Sequence, residues 1–126
     1  MNPLETCKIG NTGLAVTRLG IGGAAIGGLY TDVPYGQAIE TIQLALKLGV
    51  CYMDTSPLYG LGKSEIIFGQ ALAGIPRDEY VISSKVGRIL TTESSRNHDL
   101  INKSLTPFVN LPQGDVTFDF SRDGVL

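Results

Sequence analysis

The sequence predicts an α/β chain, a parallel sheet covered by helices and entered through a short hairpin. Three observations carry this. Strand-like apolar runs begin near Leu19, at Val50 and at Tyr80, roughly 30 residues apart, which is the pitch of one β-strand plus its crossover helix. The two intervals between these runs carry amphipathic helix patterns. The runs themselves are near-continuously apolar rather than alternating, as strands buried on both faces are.

The elements follow in order. Residues 6–9 and 15–19 are β-compatible and flank Gly10-Asn11-Thr12-Gly13, a strong turn signal, so residues 1–19 read as a hairpin. Residues 20–85 then read as β-α-β-α-β. Across residues 38–48, Ala38, Ile39, Ile42, Ala45 and Leu46 share one helical face, and Gly49 stands where a left-handed C-terminal cap belongs. Pro34 is tolerated only in or before a first turn, so it bounds this helix on its N-terminal side. The second strand spans residues 50–53. In residues 64–72, Ile67, Phe68, Ala71 and Leu72 form an apolar face. Ser64 is read as the N-cap, Glu65 suits the positive helix end, and Gly74 closes the helix. Pro76-Arg77-Asp78-Glu79 turns the chain into the third strand, residues 80–83.

After Val86 the rhythm fails. Residues 87–115 are polar and turn-rich without a period, so 86–120 read as one long loop, either functional or partly disordered. Within it, residues 116–120 are mildly strand-like. Ser121-Arg122-Asp123 resembles a helix N-cap with an acid in the first turn, so residues 121–126 read as the start of a helix.

Composition removes several function classes. The chain has 126 residues, 43% of them apolar, with 10 basic and 12 acidic side chains for a net charge of −2. That length suits one domain with an ordinary core. An isoelectric point near 5.2, with no basic stripe, argues against a nucleic-acid partner. No basic start followed by an apolar stretch is present, and residues 20–29, the longest uncharged apolar run, are half glycine and too short to span a membrane. Two cysteines are too few for a disulfide scaffold. The expectation is a soluble, cytoplasmic protein with reduced thiols.

The chemistry-bearing residues sit at the strand ends. Gly20-Ile21-Gly22-Gly23-Ala24-Ala25 matches a dinucleotide fingerprint, with Glu40 at the expected distance. That fingerprint needs a helix opening at the glycines, and Gly27, Gly28 and Pro34 intervene. Close backbone approach to a ligand or plain tight packing explains the run better. Asp54 ends the second strand, Tyr59 follows in its loop, and Lys85 ends the third. In a parallel sheet or barrel this is the edge where sites are built. A phenol is a poor acid at neutral pH, but a nearby cation favours its phenolate and eases proton transfer, and a carboxylate beside the lysine keeps that cation charged. Taken singly, Asp54 could cap a turn, Tyr59 pack on the surface and Lys85 be solvated; three such residues at successive strand ends favour a site. His98, between Asn97 and Asp99, reads as solvated in the loop. Cys51 reads as a small core hydrophobe, and one His with two scattered Cys cannot assemble a zinc-type site, so no metal is expected.

At these residues the chain resembles the N-terminal part of the aldo-keto reductases. Asp54-Thr55-Ser56-Pro57-Leu58-Tyr59-Gly60, Ser64-Glu65-Ile66-Ile67-Phe68-Gly69 and Ile82-Ser83-Ser84-Lys85 are similar to family signatures, as is the opening Gly13-Leu14-Ala15-Val16-Thr17-Arg18-Leu19-Gly20-Ile21-Gly22. Val86-Gly87-Arg88 and Phe120-Ser121-Arg122-Asp123-Gly124-Val125 resemble a bacterial subgroup that oxidises aldoses, L-fucose or pyridoxal. The resemblance implies the N-terminal part of a (β/α)₈ TIM barrel, a hairpin followed by three parallel strands and two intervening helices. It also implies NAD- or NADP-dependent interconversion of carbonyl and alcohol groups on a small carbonyl or sugar substrate. Tyr59 would exchange the proton, Lys85 would ease that transfer, Asp54 would pair with Lys85, and Gly22 with Asp54 would lie at the cofactor. Val50 and Cys51 depart from the family, standing where an aromatic and a basic residue are common.

The family's fourth catalytic residue, a histidine ending the fourth strand, would come beyond Leu126, and so would most dinucleotide contacts. His98 is no substitute, because Arg96-Asn97 and Asp99 form no apolar strand. A full barrel takes about 250 residues, so the expectation is an incomplete barrel that is inactive alone. The alternative is a truncated, non-catalytic interaction protein that self-associates through exposed sheet edges. A complete flavodoxin-like domain would need five strands where three are visible.

Overall fold

A computed structural model describes residues 2–91 and 107–126. The chain opens on the expected hairpin. Strand β1, Thr6–Lys8, pairs antiparallel with β2, Ala15–Thr17, with Cys7 opposite Val16. Gly10 and Gly13 take the positive φ angles that the turn requires. Both strands are shorter than the runs that predict them. Thr17 explains the second: its buried hydroxyl donates to the Leu19 carbonyl at 2.7 Å and accepts from the Cys51 N–H at 3.1 Å. This turns the chain out of the hairpin and ties it to the entry of the second parallel strand.

Three parallel strands follow, β3 (Gly20–Gly22), β4 (Tyr52–Asp54) and β5 (Val81–Ser83), in the order β3-β4-β5. Their register aligns Gly22 with Asp54 and Asp54 with Ser83, so the three C-terminal ends form one row. Strand β4 starts two residues later than the apolar run suggests, because the Val50 N–H still bonds the Ala45 carbonyl at 2.9 Å, closing the preceding helix. That helix, α1, spans Tyr35–Lys47 with Pro34 at its N-cap and Gly49 in the left-handed conformation beyond its end. Between β3 and α1 the glycine run makes successive turns. No helix opens on it, and Glu40 is exposed on α1, so the dinucleotide fingerprint has no structural counterpart.

Helix α2 spans Lys63–Ala71 and corrects one expectation. Its N-cap is Gly62, not Ser64, which lies fully buried inside the first turn with its hydroxyl 2.9 Å from that of Thr55. Gly60, Leu61 and Gly62 all have positive φ and carry the chain abruptly into the helix, which leaves the serine free to face the sheet. Glu65 is in the first turn as expected. Ile26, Ala38, Ile42, Met53, Ile67, Phe68, Ala71 and Leu72 form the buried cluster between the two helices and the sheet.

The reading of 86–120 as one loop is also corrected. Strand β6, Arg88–Thr91, and strand β7, Asp115–Phe118, pair antiparallel with Arg88 opposite Phe118 and Thr91 opposite Asp115. Leu58, Leu61 and Val116 make a second buried cluster, with Phe108, Leu111 and Phe118 packed against it. The ribbon is hidden in the sequence because its strands are separated by residues 92–114, too far apart for any single turn signal to link them. The last element matches expectation: helix α3, Arg122–Val125, has Ser121 as N-cap, its hydroxyl accepting from the Gly124 N–H at 3.2 Å. Among the described residues the parallel sheet stays three-stranded and does not close. No described helix is long and apolar enough to cross a membrane.

Candidate active site

The row of strand ends brings together the residues singled out above. Asp54, the last residue of β4, accepts hydrogen bonds at both carboxylate oxygens: Oδ2 from Lys85 Nζ at 2.8 Å and Oδ1 from Ser83 Oγ at 2.7 Å. Lys85 follows β5 by two residues and also donates to the Thr55 carbonyl at 2.9 Å. Its ammonium lies 4.8 Å from the centre of the Tyr59 ring. Tyr59 itself is half-buried in the turn between β4 and α2. Asp54, Tyr59 and Lys85 therefore converge, held by two neighbouring parallel strands and one tight loop.

Electrostatics follow from these contacts. Partial burial pushes the Asp54 carboxyl up, but the hydrogen bonds from Lys85 and Ser83, with the Lys85 charge, outweigh it and hold Asp54 below its ordinary value. For Lys85, partial burial works against the charged form; Asp54 and the Tyr59 hydroxyl outweigh it and raise the ammonium above its ordinary value. Both groups are charged at neutral pH. Because both side chains are more than a third exposed, this is chiefly an orienting pair rather than a source of stability.

Ser83 is a site residue that sequence reading passes over. Its hydroxyl bridges Asp54 and the Tyr52 hydroxyl, 3.0 Å away. The signal for it is the register alone, since a strand end opposite Asp54 places its side chain beside the carboxylate. His98 lies outside the described residues. Cys7 is exposed and Cys51 half-buried, and both are free. Among the described residues no cluster of potential metal ligands occurs.

Two glycines at the end of β3 differ in use. A Cβ on Gly23 would meet the Ser64 hydroxyl and would come within 2.9 Å of the Asp54 carbonyl, so this glycine is needed for packing. A Cβ on Gly22 would meet nothing within 4 Å. The strand end nearest Asp54 thus has open space beside its backbone. A cavity of about 300 Å³ abuts Lys85 and is lined also by Ser56, Pro57, Val86, Arg88 and Phe120. Gly87 shapes it: its positive φ and missing side chain let the Phe120 ring lie directly on the backbone. The arrangement sets the Tyr59 phenol beside a fixed cation, with the cavity on that cation's flank.

Residues 18–110 match the model of the Aldo/keto reductase family. The chain is 42% identical over 132 residues to the pyridoxal 4-dehydrogenase of Microbacterium luteolum, covering 97% of this chain and 36% of that protein. It is 42% identical over 84 residues to the D-threo-aldose 1-dehydrogenase of a Pseudomonas species, covering 67% and 26% respectively. Among solved structures, the glycerol dehydrogenase of Gluconobacter oxydans superposes with a TM-score of 0.59 at 29% identity, over 92% of this chain and 31% of that one. A Bacillus halodurans aldo-keto reductase in its holo form gives 0.61 at 26% identity, over 82% and 36%. The chain thus spans about a third or less of the length of these relatives.

Proposed function

The chain belongs to the aldo/keto reductase family, and from that premise we propose that it serves NAD- or NADP-linked interconversion of an alcohol and a carbonyl. The substrate class is a sugar of the aldose or L-fucose kind, or pyridoxal. The observation that carries the reading is the unbroken contact of Asp54, Lys85 and Tyr59 at adjacent strand ends.

When bound, the nicotinamide accepts or gives the hydride. The residues of this chain handle the proton. Tyr59 gives its proton to the substrate oxygen as a carbonyl is reduced, and takes one back as an alcohol is oxidised. Lys85 stabilises negative charge as it develops on the phenol oxygen. Asp54, itself fixed by the Ser83 hydroxyl, and the Thr55 carbonyl hold Lys85 in place, and Gly22 leaves the space into which the flat ring fits. The cavity next to Lys85 takes the rest of the substrate, with Ser56 and Arg88 as polar partners and Phe120 as an apolar wall. The names of the two 42%-identical relatives, one acting on pyridoxal and one on D-threo-aldoses, support this substrate class.

The test measures nicotinamide reduction in the presence of L-fucose, other aldoses and pyridoxal, with each of NAD and NADP. It uses the 126-residue chain and a chimera in which this chain replaces the matching stretch of pyridoxal 4-dehydrogenase. The expected result is negligible turnover by the chain alone and measurable turnover by the chimera. In the chimera, Tyr59→Phe should lower kcat by about 10²–10⁴, the range for loss of a positioned proton donor. A chimera that turns over equally well without the Tyr59 hydroxyl would refute the assignment.

A further inference from the structure

The glycine pair Gly27-Gly28 plays no part in the chemistry above, yet it is packed against the site on two sides. A Cβ on Gly27 would stand 2.6 Å from the carbonyl carbon of Tyr59, and one on Gly28 would stand 3.0 Å from the Val109 carbonyl oxygen. Side chains at either position are excluded by backbone, which cannot yield as a flexible side chain can. The turn carrying these glycines therefore touches both the Tyr59 backbone and a second segment, residues 107–111.

That segment is pinned along the glycine turn. The Tyr30 N–H donates to the Pro107 carbonyl at 2.6 Å, the Val109 N–H donates to the Gly28 carbonyl at 3.0 Å, and Leu29 and Phe108 form an antiparallel bridge between these bonds. Beside the junction, Lys63 of α2 pairs with Asp32 at 2.7 Å, its side chain only 8% exposed, and ties the chain after the glycine turn to that helix. Asn110, beside the Asp32 carboxylate, joins Lys63 in holding it below its ordinary value. Tyr30 and Asn110, on the two sides of the junction, both adopt positive φ, at 61° and 51°. Such backbone is unfavourable for a residue with a side chain and persists where surrounding contacts enforce it.

The product of this docking is one contact. The Phe108 ring stacks on the Tyr59 ring, with centroids 6.2 Å apart and an interplanar angle of 28°. Tyr59 thus has its backbone set by Gly27 and its ring set by Phe108, while the Lys85 ammonium approaches that same ring. We propose that Phe108 is a positioning residue for Tyr59, delivered by the docking of residues 107–111 on the Gly27-Gly28 turn. This rests on Tyr59 being the proton-exchanging group. Phe108 touches no reacting atom; it narrows the orientations open to the phenol, and a poorly oriented donor costs rate rather than affinity.

The test follows the Tyr59 ring signals by NMR in the 126-residue chain, assigned by their loss in Tyr59→Phe. Phe108→Leu keeps apolar volume but removes the ring; Phe108→Tyr keeps the ring. Phe108→Leu should shift and sharpen the Tyr59 signals toward free ring rotation, while Phe108→Tyr leaves them near their starting positions. In the chimera described above, Phe108→Leu should lower kcat about 10-fold with KM for the nicotinamide within twofold, and Phe108→Tyr should restore kcat. Unchanged Tyr59 signals in Phe108→Leu, or an unchanged kcat in an active chimera, would overturn the positioning role. Inactivity of the chimera before any substitution would count against the proposed reaction instead, and the ring signals would still decide the positioning role.

Discussion

Asp54 serves two partners with two oxygens, and this division sets what substitution there should do. Oδ2 holds Lys85 and Oδ1 takes the Ser83 hydroxyl. Asp54→Asn keeps the shape but removes the charge that holds Lys85, so it should lower kcat in the active chimera by about 10- to 100-fold. Ser83→Ala, which removes one hydrogen bond and leaves the ion pair, should cost far less. An equal loss from the two would show that the charge of Asp54 is not its main contribution. The pH dependence has a definite sign. Asp54 is held below the usual 3.8, so its contribution is present above that value and is lost as pH falls through the lower, folded-state value. Lys85 is held above the usual 10.5, so its contribution is present below that value and is lost only as pH rises through the higher one. The pair is constant across the neutral range. A carboxyl NMR titration should find the Asp54 midpoint below 3.8 and moving up in Lys85→Met; a midpoint indifferent to that substitution would remove Lys85 as its cause.

Elements set the next level, and here the sequence and the structure diverge instructively. The βα rhythm was readable because burial on both faces forces apolar strands, and because α1 must turn an apolar stripe to the sheet. Asp54, Tyr59 and Lys85 were readable for the same reason: each stands at a fixed offset from a strand end. The start of α2 was misread, since Ser64 has the chemistry of a cap but is committed to Thr55 across the helix–sheet interface. Ser83, Phe108 and the ribbon of β6 and β7 depend on pairings between distant segments that no local pattern announces. The misread serine carries its own prediction. Ser64→Ala removes the partner of the buried Thr55 hydroxyl without disturbing the Gly62 cap, so the cost is that of an unsatisfied buried polar group, about 1–3 kcal/mol. Denaturant unfolding measures it. A capping role would instead predict a loss that a Ser64→Asp variant recovers, and Asp at this buried position should be worse than Ala.

Among the described residues there are two buried clusters rather than one, and they divide the labour of the whole molecule. The larger lies between α1, α2 and the parallel sheet, and fixes the row of strand ends from beneath. The smaller joins Leu58 and Leu61, on the loop carrying Tyr59, to Val116 of β7 and to Phe108 and Leu111. Phe68, 1% exposed in the larger cluster, bridges helix and sheet; Phe68→Ala should cost about 3–5 kcal/mol and lower the cooperative unfolding midpoint. Val116 is fully buried in the smaller cluster, where Val116→Ala removes less surface, about 1–3 kcal/mol. Its loss falls on a ribbon bound to the rest mainly through that cluster. Amide hydrogen exchange should therefore separate the two variants. Val116→Ala should speed exchange in β6 and β7 and at Tyr59 while leaving β4 and α1 protected, because local opening takes the cheaper route. Phe68→Ala should speed exchange in the parallel sheet and in both helices. If Val116→Ala instead lowered protection evenly across β4, α1 and the ribbon, the clusters would form one cooperative unit, and the loop bearing Tyr59 would be as rigid as the sheet beneath it.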